Sequence, residues 1–145
     1  MKIKLFTLAL AALTLLACEK TPEPIVPEEA DYVGTLVVES SKGPVENTEA
    51  RVKFQPNQDG SAELTLYEVK FSPGMPMKLD VTIPDVKVTS TANKITLAGT
   101  DIIPLALGGE FPNYIVTDLT GEIVGDKMTL SLKFGGIPTT YVGEK

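Results

Sequence analysis

Cys18 is the only thiol in a chain of 145 residues that contains no histidine, so the commonest general base and the commonest metal ligand are both missing. Carboxylates, lysines and hydroxyls remain. Ser131 and Lys133 stand two residues apart, hence on one face of an extended strand, but the alternation of the stretch puts that face in water, where a lysine keeps its proton. Asp80 with Asp85, or Asp118 with Glu122, could supply the two carboxylates of a glycosidase, and Asn57 with Asp59 the oxygens of a calcium loop. Each has a plainer reading. Asp59 precedes Gly60 and Asp126 follows Gly125 in turn sequences, Asp85 follows Pro84 in what reads as a turn, and Asp80 alternates with aliphatic residues and so points to water. Asp118 shares one strand face with Tyr114 and Val116, while Ile115, Thr117, Leu119 and Ile123 share the other. With the second face as core, Asp118 is exposed, and that is the reading adopted; an inward Asp118 would be a buried acid with a raised pKa and a claim to function. No enzyme, metal site or cofactor is expected.

The address of Cys18 gives it another meaning. Met1 to Lys4 carries two lysines, and Leu5 to Ala17 then runs LFTLALAALTLLA without a charge. As a helix this run would span about 20 Å, short of the roughly 30 Å of bilayer hydrocarbon. A positive start, a short apolar run and a small residue before the cleavage point make an export signal rather than a membrane span. Leu15-Leu16-Ala17-Cys18 resembles the lipobox of bacterial lipoproteins, although Leu16 is bulkier than the residue usual there. That resemblance implies cleavage between Ala17 and Cys18, diacylglycerol on the Cys18 sulfur and acylation of the new amino group. With about 0.8 kcal/mol per buried methylene, two or three acyl chains would anchor the protein to a membrane permanently. The expected division is therefore a signal peptide over 1–17, a lipidated cysteine and tether over 18–30, and one folded domain over 31–145. In the tether, EKTPEPIVPEEA, Pro22, Pro24 and Pro27 lie too close together for helix or sheet interior; as polyproline II it reaches up to about 37 Å.

Without residues 1–17 the chain keeps eleven basic and nineteen acidic side chains, a net charge of −8. That balance argues against nucleic acid, and against docking on anionic lipid through a basic patch, since both need clustered Lys and Arg.

Beyond the tether, apolar residues recur every second position and β-branched residues dominate, which predicts strands. Ala50-Val52-Phe54, Met77-Leu79-Val81-Ile83 and Met128-Leu130-Leu132-Phe134 each alternate with polar residues, one dry face against one wet. Turn residues punctuate them at Asn57–Gly60, Ser72–Gly74, Pro84-Asp85, Ala92-Asn93, Gly108-Gly109, Gly125-Asp126 and Gly135-Gly136. The expected strands are 32–39, 49–55, 62–71, 77–83, 86–91, 94–98, 101–107, 114–123, 127–134 and 138–143, with some of the short middle pieces open to merging. The fold class is all-β: a small antiparallel up-and-down β-barrel of about eight or more strands, or else a β-sandwich. Tyr32-Val33-Gly34 opens the first strand and Tyr141-Val142-Gly143 lies in the last, which suggests that the two pair and close a barrel, leaving no open edge. Phe111, in the loop Gly108 to Asn113, and Tyr114 after it are candidates for a barrel mouth, or for a plug at the end of the core.

The lipobox and proline-rich tether, YVGTLVV at the start, the hairpin ARVKFQPNQDGSAELTLYEVKF and the late hairpin TDLTGEIVGDKMTLSLKF together resemble the calycin-like, or lipocalin-like, β-barrel lipoproteins of Bacteroides-type bacteria, from Tyr32 to the end. The chain departs from lipocalins proper, having no tryptophan and no helical period after the signal. The resemblance implies a non-catalytic, lipid-anchored barrel of the cell envelope, at the outer membrane and on either face of it, which binds a small apolar ligand or an envelope partner. The alternative is a solid-core structural or accessory interaction protein. An eight-stranded barrel is just wide enough to be filled by its own side chains or to hold one small ligand, so function turns on what fills it.

Overall fold

The computed structural model describes residues 23–145. The signal peptide, the Ala17–Cys18 cleavage point and the lipidation of Cys18 lie outside the described residues.

The alternating segments form ten strands: β1 (Ala30–Ser40), β2 (Gly43–Pro56), β3 (Ser61–Val69), β4 (Leu79–Ser90), β5 (Ile95–Gly99), β6 (Leu105–Ala106), β7 (Gly109–Glu110), β8 (Val116–Val124), β9 (Lys127–Phe134) and β10 (Ile137–Glu144). Eight of them run antiparallel in the order β3-β2-β1-β10-β9-β8-β5-β4, and a further β3–β4 ladder closes the ring. The architecture is a closed barrel and not a sandwich. The two short strands β6 and β7 form a hairpin attached to β4 at Thr82 and Leu105.

The first and last strands do pair. In the β1–β10 ladder Gly34 lies opposite Gly143 and Leu36 opposite Tyr141, which puts Val33 and Val142 on neighbouring strands. Tyr141 is buried, and its hydroxyl donates to the Ala50 carbonyl of β2 at 3.1 Å, reaching past β1. The closing seam is thus stitched across three strands.

Closure of a small barrel needs strongly coiled strands, and this chain coils them with β-bulges. Tyr67 and Glu68 of β3 together face Asp80, Pro84 and Asp85 of β4 face Glu63, and Asp118 and Leu119 of β8 face Leu132. In each bulge the acidic residue takes a left-handed backbone, with φ of 56° at Glu68, 55° at Asp85 and 52° at Asp118. Two expectations change as a result. Pro84-Asp85 is a bulge within one strand rather than a turn, so the strands expected at 77–83 and 86–91 are both part of β4. The strict alternation read through Asp118 breaks there, and Val116 and Leu119 both point into the core. Over 101–107 a single Ile102–Val116 bridge and the two residues of β6 replace the expected strand. A 3₁₀ turn, Pro112–Tyr114, precedes β8.

The inward residues fill the barrel: Val52, Leu64, Leu66, Ile83, Leu97, Met128 and Phe134 are all fully buried. The molecule has two unlike ends. At one, the turns after β2, β4 and β8 meet the incoming segment Glu23–Glu29. At the other lie the β1–β2 and β9–β10 turns, the 70–78 loop and the stretch 100–115.

Candidate functional site

Most of the side chains that could do chemistry have structural work. Asp59 accepts from the Ser61 N–H at 3.0 Å and the Ser61 hydroxyl at 2.6 Å, and these bonds hold its carboxyl below the usual carboxylate range. Its oxygens organise the β2–β3 turn. Asp80 accepts the N–H of Glu68, the amide that the β3 bulge turns out of the ladder, at 3.1 Å. Asp118 is exposed and stands 3.6 Å from Lys133, which with Ser131 is on the wet face of β9. Such an exposed pair contributes little. Among the described residues no three acidic or sulfur side chains are grouped to hold a metal ion.

Phe111 and Tyr114 stand at the end of the barrel away from the incoming segment. Tyr114 stacks on Phe71 with ring centroids 4.2 Å apart and planes at 15°, Phe71 meets Phe134 edge-on at 5.2 Å, and Phe111 lies 6.4 Å from Tyr114. This series of rings, packed against the core, plugs that end. Gly135 makes the approach possible: its N–H donates to the Ile115 carbonyl at 2.8 Å, its φ is +54°, and a Cβ there would run into the backbone of Asn113.

The opposite end is open. A cleft of about 400 Å³ is floored by Tyr32, Phe54, Ile95 and Ile123 and walled by Ile25, Val26 and Glu28. The floor residues are the inward side chains nearest this end: Phe54 ends the inward series of β2, Ile95 opens β5, Ile123 comes two before Gly125, and Tyr32 is the first buried residue of β1. The wall exists because Glu23–Glu29 crosses the end of the barrel. Ile25 donates its N–H to the Thr91 carbonyl at 2.9 Å and packs on the core, while Glu29 pairs with Lys53 at 2.8 Å. The hydrogen bond and charge of Glu29 hold the Lys53 ammonium above its usual value. Reading the segment only as a tether missed this wall, although the apolar pair Ile25-Val26 among prolines and acids was a signal for it.

Two buried phenols sit near this end, and burial is the larger cause of the upward shift in both. Asp126 adds to it at Tyr32, and Tyr32 adds to it at Tyr141. The sign of the pH dependence follows. Below the usual phenol value of about 10 both states hold the protons, so these groups leave stability unchanged. Above it the unfolded chain releases protons that the folded chain retains, and stability falls as pH rises toward the folded values, by about 1.4 kcal/mol per pH unit for each tyrosine. Lysines titrate over the same range, so the informative quantity is a difference. Unfolding free energies from urea titrations between pH 10 and pH 11.5 should fall less steeply for Tyr141→Phe than for the wild type, by a difference that approaches about 1.4 kcal/mol per pH unit; identical slopes would refute the assignment.

Comparison with known proteins bears on the fold. A family model described as a calycin-like beta-barrel domain matches residues 29–142. A crystal structure of a "putative outer membrane protein" from Bacteroides fragilis superposes with a TM-score of 0.54 and 25% sequence identity over 81% of this chain. The chain spans about half the length of that protein, 50% of it. No curated protein is significantly similar in sequence.

Proposed function

The chain belongs to the calycin-like β-barrel domain family, and from that premise we propose that it is a non-catalytic, lipid-anchored binding module of the cell envelope that takes a small apolar ligand at the tether end of its barrel. The observation that carries this is the contrast between the two ends. One is plugged by stacked aromatic rings, and the other opens as a cleft of about 400 Å³ over Tyr32, Phe54, Ile95 and Ile123. That volume lies within the range of small-molecule sites, about 300–1,000 Å³, and an apolar floor with Glu28 and Lys145 in its lining suits an apolar ligand that carries a polar head. The barrel below the cleft is filled, so the ligand rests on the core and does not enter it.

Outer-membrane placement is supported by the likeness to the Bacteroides fragilis protein, and anchoring by the lipobox-like Leu15-Leu16-Ala17-Cys18. Ile25 is seven residues on from Cys18, so a lipid on Cys18 turns the open end of the barrel toward the bilayer. Cells fed a fatty-acid probe should label the wild type and not Cys18→Ala. Absence of label from both would remove the anchor from this reading.

Native mass spectrometry of the protein taken from its own cells tests the cleft. The expected result is a bound small molecule, lost in Ile123→Trp, where a larger ring occupies the floor. A second reading, a solid-core interaction protein, is favoured by the filled interior and by Val33 and Val142, which stand 52% and 47% exposed on adjacent strands. Bare protein, or a protein complex without a small molecule, would decide for it.

A further inference from the structure

The barrel wall is not continuous. The β2–β3 ladder pairs Val52–Pro56 with Leu66–Ala62 and stops there. Among the described residues, β2 from Gly43 to Ala50, toward the plugged end, has β1 on one side and no strand on the other, and β3 beyond Leu66 pairs only with β4. Arg51 of β2 lies 4.0 Å from the ring centroid of Tyr67 of β3, the last contact across the seam before it opens. Bulges on both sides lie at the parting: Thr48 and Glu49 of β2 face Thr35, and Tyr67 and Glu68 of β3 face Asp80. Between the parted strands is a groove of about 230 Å³ whose floor is Leu36, Val38 and Val45, with Lys70 and Lys78 at its rim. Leu36 and Val38 are core residues, 3% and 1% exposed.

We propose that this groove receives an extended polypeptide segment of a partner protein, added as a strand to the free edge of β2, with an apolar side chain set on Leu36, Val38 and Val45. The edge identifies the class of partner. From Val45 to Asn47 alternate residues direct main-chain donors and acceptors away from β1 at strand spacing, while at the bulge the Glu49 N–H is already taken by the Asn47 side chain at 3.1 Å; another main chain is what pairs the short row before the bulge in register. A fatty acid or a sugar could cover the floor but would leave the row unpaired. The rim carries Lys70 and Lys78 beside Glu46 and Glu68, a mixed charge that selects no single sign, so the main chain and one apolar anchor carry the recognition. Pro44 at the start of β2 and the bulge at Thr48 and Glu49 keep the usable edge short, which blunts open-ended stacking and suits one added strand. The groove is separate from the tether-end cleft and does not depend on a ligand there.

The test pans a displayed library of random heptapeptides against the wild-type protein, then takes the most enriched sequence as a synthetic peptide. The expected result is an alternating apolar pattern, with exchange of the outward amides of Val45–Asn47 slowed at least ten-fold by saturating peptide. Two N-methylated versions, one for each set of alternate amides, separate main-chain from side-chain recognition: one of the two should bind at least ten-fold more weakly. Val45→Asp should weaken binding by a similar factor, and Asn47→Lys at the edge serves if Val45→Asp does not fold. No enrichment, protection at Ile25 and Tyr32 instead, or equal binding by both N-methylated peptides would overturn the proposal. Protection of Val45–Asn47 in a dimer without peptide would also overturn it, giving the edge to a second copy of the chain.

Discussion

Gly34→Val should cost about 3 kcal/mol or more and bring the thermal midpoint down by about 10 °C or more, roughly 4 °C being lost for each kcal/mol in a domain between 100 and 150 residues. The cause is the seam. Gly34 lies opposite Gly143 where the first and last strands close the barrel, and a Cβ at Gly34 would overlap the Val142 carbonyl and the Gly143 Cα. These are main-chain atoms in a ladder, so relief requires β1 and β10 to separate. Separation would also strain the bond from the Tyr141 hydroxyl to Ala50, since Tyr141 rides on β10 and Ala50 on β2. Gly74→Ala is the matching control, because no heavy atom lies within 4 Å of the Cβ it would add and its φ is not positive; its effect should stay within about 0.5 kcal/mol. Equal midpoints for the two variants in urea or on heating would show that the glycine pair does not set the closure.

The pairing of these two strands was legible from a repeated tripeptide, for a physical reason. A closed barrel brings its terminal strands together, and tight coiling there tolerates glycine where a side chain would collide. Strand positions were legible wherever one face is buried and the other wet, as in β9, whose Met128, Leu130, Leu132 and Phe134 all point inward. The bulges were not legible. A bulge sets two residues against one, so alternation slips by a residue without any turn, and Pro84-Asp85 carries the same residue types whether it turns the chain or only bends it. The cleft was hidden for a different reason. Its floor is ordinary strand pattern, and its wall comes from Ile25 and Val26 folding back across the barrel, a long-range contact that spacing along the chain does not encode. The parted β2–β3 seam is similar: β2 reads as a strand throughout, and only its partner's departure leaves the edge free.

Phe134→Ala tests the other end, with an expected loss of about 3–5 kcal/mol, the cost of emptying a fully buried aromatic site. Phe134 is 0% exposed, holds Phe71 edge-on at 5.2 Å, and through Phe71 supports the stacked ring of Tyr114. Collapse into the space is limited because Phe71 closes the 70–78 loop and Tyr114 the 3₁₀ turn, so each ring is held by a different stretch of chain. Tyr114→Ala should cost less, since Tyr114 is only half-buried, and a double-mutant cycle between Phe71 and Tyr114 should return a coupling of about 0.5–1.5 kcal/mol. A coupling near zero would reduce the plug to separate rings. The plug and the cleft lie at opposite ends of one filled core, so Tyr114→Ala, which leaves that core in place, should retain the small molecule sought by native mass spectrometry, whereas Ile123→Trp loses it. Loss of the ligand from Tyr114→Ala, with the fold intact by circular dichroism, would place the site at the aromatic end and refute the assignment to the tether end.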